Sequence, residues 1–68
     1  MPYVNIKITR DRVTREQKAA LIAGATQLLV HVLGKNPETT VVVIDEIDTD
    51  NWGIGGTPVT ERRRSATP

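Results

Sequence analysis

Four residues of this chain have the types that could work together chemically, although they stand far apart: Pro2, Arg10, Arg12 and Trp52. Pro2 follows the initiator Met1. Removal of methionine ahead of so small a residue would make proline the amino terminus, and its nitrogen would then be a secondary amine rather than an amide. A free α-amino group titrates near ~8, and burial or a neighbouring cation lowers that value. Such an amine is neutral at physiological pH and can take a proton from carbon. A Met-Pro start is commonplace when taken alone, so the other residues must carry the argument.

Arg10 and Arg12 flank Asp11 in a short charged run. Ordinary surface charge would account for both. The alternative is a guanidinium that binds a substrate carboxylate through two parallel hydrogen bonds and lowers the pKa of a nearby amine. Trp52 opens the segment Trp52-Gly53-Ile54-Gly55-Gly56, whose glycine density predicts a tight hairpin. Such a backbone would let Trp52 line a pocket. It is not a phosphate cradle, since the GxxxxGK[ST] pattern is absent and no helix opens from it.

The remaining candidates read as structural. His31 falls near the end of the predicted helix, off its apolar stripe, where a histidine complements the helix dipole. Asp45, Glu46, Asp48 and Asp50 lack the spacing of a calcium loop and read as a solvated acidic turn. One histidine and no cysteine exclude the usual histidine-based zinc sites, sulfur metal sites and a thiol nucleophile. Neither a metal nor a cofactor is therefore expected. Arg62, Arg63 and Arg64 have no interleaved aromatics, and a net charge of +1 gives no general attraction to nucleic acid.

These residues must be placed by very few elements. From Tyr3 to Ile8 apolar residues alternate, with Val4, Ile6 and Ile8 on one face, which predicts a strand. Thr9 to Val13 reads as a loop. Thr14 and Gln17 fit a capping box, with Glu16 in the first turn. Lys18, Leu21, Ile22, Ala25, Leu28, Leu29, Val32 and Leu33 then recur at helical spacing. Gly34 and Pro37 supply a stop. Gly24, inside the helix, costs about 1 kcal/mol relative to alanine. Val41 to Ile44 is a continuous β-branched run, as in a strand covered on both faces of a parallel sheet. Asp45 to Asn51 reads as a turn.

The fold class is therefore α/β, a single βαβ unit with a C-terminal β-hairpin. The domain is expected over residues 1–60, followed by a polar tail over 61–68. A chain of 68 residues buries little of its own surface, and no disulfide compensates. Two strands and one helix leave open edges and one bare sheet face, so the sheets are expected to be completed by oligomerisation. No apolar run reaches membrane-spanning length and no signal peptide precedes the fold. The expectation is a cytoplasmic protein with no membrane partner.

Taken together, Pro2 after Met1, the strand ending in a charged loop, Thr14-Arg15-Glu16-Gln17-Lys18 opening a helix, and Trp52-Gly53-Ile54-Gly55-Gly56 resemble the 4-oxalocrotonate tautomerase family. The similarity runs over roughly positions 2 to 60. The resemblance implies an enol–keto isomerase of βαβ subunits, a homo-oligomer arranged as a hexamer (a trimer of dimers), acting on a small-molecule carboxylate. It implies that Pro2 is the general base, that Arg10 or Arg12 binds substrate, and that Trp52 is the aromatic wall. It also implies that pocket residues come from different subunits. Two departures stand out. The family's second arginine falls at Val41 or a neighbour, in an all-apolar run. The loop before Thr14 is one residue longer than in the family's best-known members, which leaves Arg10 and Arg12 both open. Loss of the second arginine also suits other proline-amine chemistry, such as dehalogenation or decarboxylation of a small unsaturated acid. Retained Met1 would make Pro2 an amide and the protein a catalytically silent oligomeric binding protein.

Overall fold

The computed structural model describes residues 1–66, and one pair of parallel strands organises them. β1 (Tyr3–Thr9) and β2 (Val41–Ile47) pair in parallel, from Tyr3 opposite Val41 to Thr9 opposite Ile47. Backbone bonds close the ladder at both ends. The Val41 amide donates to the Pro2 carbonyl at 3.0 Å, and the Arg10 amide donates to the Ile47 carbonyl at 2.8 Å. β2 is longer than its β-branched run predicts. Asp45, Glu46 and Ile47 continue the strand instead of turning, because the two carboxylates are met by side chains from elsewhere in the chain. Lys7 Nζ and Asn5 Nδ2 donate to Asp45 at 2.9 and 3.0 Å, and Lys18 pairs with Glu46. Thr9 likewise belongs to β1 rather than to the loop.

α1 (Arg15–Leu33) begins at the predicted cap. The Gln17 amide donates to Thr14 Oγ1 at 3.1 Å, and the Thr14 amide donates to Gln17 Oε1 at 2.8 Å, so two otherwise orphaned donors are satisfied reciprocally. It ends at Gly34, which is left-handed with φ 64° and donates to Val30 O at 3.0 Å. A side chain there would cost roughly 1–2 kcal/mol. The helix lies against β2 and half-buries Lys18, Ala25, Thr26, Leu29 and Val30. Another part of its apolar stripe is uncovered: Leu28 is 61% exposed and Val32 69%. Gly24 makes no close approach, since nothing lies within 4 Å of where its Cβ would be.

A 3₁₀ turn (Pro37–Thr39) leads into β2, and a second (Thr49–Asn51) leaves it. The predicted hairpin follows as β3 (Gly53–Ile54) and β4 (Thr57–Pro58), antiparallel. Gly55 and Gly56 turn it with φ 61° and 85°, a pair of positive angles that favours glycine in two-residue hairpin loops.

The polar segment expected to trail from residue 61 is helical instead. α2 (Val59–Ala66) starts directly after the hairpin. Its first amide, from Val59, donates to Trp52 O at 2.7 Å, and the Thr60 hydroxyl lies 2.5 Å from both Thr49 Oγ1 and Asp50 Oδ1. Thr67 and Pro68 of the expected tail lie outside the described residues.

Among the described residues, only Val59 is a buried hydrophobic, at 7% exposure. The radius of gyration is 15.6 Å, whereas a self-contained chain of this length is expected near ~11 Å. α1 can cover only one face of a two-stranded sheet, so a single chain has no enclosed core.

Candidate active site

β1 acts as a spacer between the two halves of the predicted site. A strand advances about 3.3 Å per residue, so the eight steps from Pro2 to Arg10 separate them by roughly 26 Å. Pro2 is half-buried at the start of the ladder. Its carbonyl accepts from Val41; its nitrogen carries no hydrogen and holds nothing in place. Met1 before it is 93% exposed.

The other predicted residues gather at the far end of the strand. There an open groove of about 730 Å³ is lined by Ile8, Thr9, Asp11, Val13, Leu21 and Trp52, among others. Its walls are mainly apolar, and Trp52 is half-buried in them. Arg10 and Arg12 stand on the loop above but do not line the groove. Their states differ. Arg10 Nε donates to Asp48 Oδ1 at 2.8 Å and its Nη2 to the Glu46 carbonyl at 3.2 Å. Arg12 is exposed, makes no hydrogen bond or ion pair among the described residues, and has φ 60°. A left-handed conformation at a non-glycine residue is strained, and such strain clusters at functional sites.

Asp11, between the two arginines, is the residue that sequence reasoning passed over. It accepts from Arg63 Nη1 at 2.6 Å and Nη2 at 3.2 Å, and from the Thr9 hydroxyl. The Arg63 hydrogen bond, then that from Thr9, brings its carboxyl from the ordinary 3.8 down to about 2. The signal was an acid flanked by two bases ahead of an arginine-rich C-terminus, but nothing in the spacing said that the two would meet.

The acidic cluster is not a site of its own. Asp45 is taken by Asn5 and Lys7, which hold its carboxyl below the ordinary value. Glu46 is taken by Lys18, Asp48 by Arg10 and Asp50 by Thr60. His31 sits exposed in the last turn of α1, as its position implied.

The parallel pair that carries Pro2 at one end and the tryptophan-lined groove at the other has a fold shared by known proteins. The family profile described as "Tautomerase enzyme" matches residues 2–62. The chain belongs to the tautomerase family. A probable tautomerase of Dickeya dadantii is 72% identical over 67 residues, covering 98% of this chain and 100% of that one. Among solved structures, DmpI from Helicobacter pylori is 45% identical with a TM-score of 0.86, over 93% of this chain and 97% of that one. TomN, described as a 4-oxalocrotonate tautomerase homologue in the tomaymycin biosynthetic pathway, is 29% identical with a TM-score of 0.90, over 97% and 100%.

Membership of the tautomerase family supports a tautomerase, and hence isomerase, activity. The βαβ unit with its small hairpin matches the tautomerase fold. Among the described residues of this tautomerase-family chain, no helix is long and apolar enough to cross a membrane.

Proposed function

We propose that the chain is a cofactor-independent tautomerase of a small 2-hydroxy-dienoate or enol-pyruvate type acid, with Pro2 as general base once Met1 is removed. The observation that carries this reading is how Pro2 is held. It is tethered through its carbonyl to Val41, while Met1 projects into solvent. Loss of Met1 therefore frees the amine without costing the ladder a bond.

The proton would leave the enol hydroxyl for the Pro2 nitrogen. The electron pair then forms the carbonyl and moves along the conjugated system, and the same nitrogen returns the proton to carbon. An amine whose pKa lies near the working pH suits both transfers. Of the two loop arginines, Arg12 is the one without a hydrogen bond or ion pair among the described residues, so it would bind the carboxylate and stabilise negative charge as it develops. Trp52 would form the wall.

One chain cannot assemble this set, because β1 separates Pro2 from the arginine loop by roughly 26 Å. Pro2 of one copy must meet Arg12 and Trp52 of another. The uncovered apolar residues of α1 and the low compactness support a homo-oligomer, a hexamer on the family pattern, in the cytoplasm.

The test pairs an intact mass with a rate. The mature protein should lack Met1, and Pro2→Ala should slow ketonisation, followed by ultraviolet absorbance, by about 10²–10⁴-fold. An unimpaired rate would remove Pro2 from the mechanism. A second reading, dehalogenation of a small unsaturated acid, is favoured by the all-apolar run from Val41 to Ile44, where the resemblance implies an arginine at Val41 or a neighbour. Enol and haloacrylate substrates assayed side by side separate the two, and turnover of enols alone dismisses the second.

A further inference from the structure

α2 connects the two elements that would hold substrate. At its start, Val59 bonds the Trp52 carbonyl and Thr60 bonds the turn before Trp52. One turn further on, Arg63 reaches the loop that carries Arg12. That loop has little else to shape it. Arg10 is fixed by the Ile47 carbonyl and Thr14 by the helix cap, but residues 11–13 make no backbone–backbone hydrogen bond among the described residues.

We infer that Arg63 and Asp11 form a positioning pair that sets the arginine loop against the Trp52 wall and so holds Arg12 ready for a substrate carboxylate. The inference rests on the proposed role of Arg12.

Arg63 grips Asp11 with both terminal nitrogens, at 2.6 and 3.2 Å, and its Nη2 also lies 3.4 Å from Thr9 Oγ1. Two parallel bonds between planar groups fix direction as well as distance. A lysine, as a point charge, would fix only distance. The residue that follows Asp11 is Arg12 at φ 60°, a conformation that persists only where its surroundings impose it. Fixing the carboxylate of Asp11 supplies that constraint one residue away. Arg63 and Asp11 are 54% and 43% exposed, and exposed pairs contribute little to global stability. The effect of this pair is therefore orientation. Neither residue need touch substrate.

The experiment uses the full-length protein and compares Arg63→Ala, Arg63→Lys and Asp11→Asn, with Arg64→Ala as control because among the described residues Arg64 bonds only Glu61. Steady-state kinetics on a 2-hydroxy-2,4-dienoate are combined with NMR order parameters for residues 11–13. Arg63→Ala and Asp11→Asn should raise KM by about tenfold, one charge-assisted contact's worth of binding, with kcat little changed. Arg63→Lys should stay impaired, and Arg64→Ala should match wild type. Order parameters at 11–13 should fall from the rigid value of about 0.85 towards about 0.6 in Arg63→Ala. Unchanged KM, full rescue by lysine or unchanged order parameters would each overturn the inference. If the wild type shows no tautomerase activity, the proposed function fails, and the order parameters alone decide whether Arg63 positions the loop.

Discussion

Val41 donates its amide to the carbonyl of Pro2 at 3.0 Å, so an aliphatic residue stands beside the proposed base. Val41 is 38% exposed, and the continuous run Val41–Ile44 brings no cation to this end of the sheet. Substrate bound at Pro2 would meet a hydrocarbon wall here, which suits an acid with one carboxylate.

Val41→Arg tests that relationship. A cation beside the amine disfavours its protonated form and lowers its pKa. The acidic limb of the kcat/KM profile should therefore move to lower pH, by about half a unit given screening at an exposed position. KM for a dicarboxylate should fall relative to a monoacid. A profile that does not move would place the base elsewhere.

Asp11 gives a separate pH signature. Its carboxyl titrates at about 2 in the folded chain against an ordinary 3.8. A group with a depressed folded pKa contributes stability above its unfolded value and loses it as pH falls through the folded one. The stability from the Arg63 contact should thus be fully present above 3.8 and be lost as pH falls from there through about 2, the midpoint at which the contact itself breaks. Following the Asp11 carboxyl carbon by NMR should give that midpoint, and Arg63→Ala should return it towards 3.8. An unshifted midpoint in the variant would mean that Arg63 is not the cause.

Leu28 and Val32 probe assembly. Both are largely exposed on α1 in the single chain. Burying a side chain of this size is worth about 1.5–3 kcal/mol, and burying an unpaired carboxylate costs more than that gain. Leu28→Glu/Val32→Glu should yield a smaller species by sedimentation and abolish turnover together with assembly. A variant that stays fully assembled would show that this face is not an interface.

The local signals in the sequence were strong wherever short-range chemistry decides structure. The Thr14–Gln17 box, the Gly34 stop and the Gly55-Gly56 turn depend on neighbours within a few positions, and all three stand where expected. The end of β2 was misread because Asp45 and Glu46 look like turn residues until Lys7 and Lys18 arrive from elsewhere in the chain. α2 was missed for a related reason. Pro58 before it, Glu61 early and Arg63 and Arg64 late are the marks of a helix, but its length is marginal without tertiary contacts. Those contacts, to Trp52, Thr49, Asp50 and Asp11, are invisible in the order of residues. At the candidate site, the glycine-rich hairpin after Trp52 was legible, whereas the contrast between a tethered Arg10 and an Arg12 with no partner among the described residues arises only in the folded chain.

Trp52 is the sole tryptophan of the chain, half-buried in the groove wall with its carbonyl held by the first amide of α2. The indole is thus a native optical reporter placed at the groove. Its emission tracks the hydration of that wall, so ligand entry or arrival of a neighbouring subunit should be readable as a spectral shift, with no label and no turnover required.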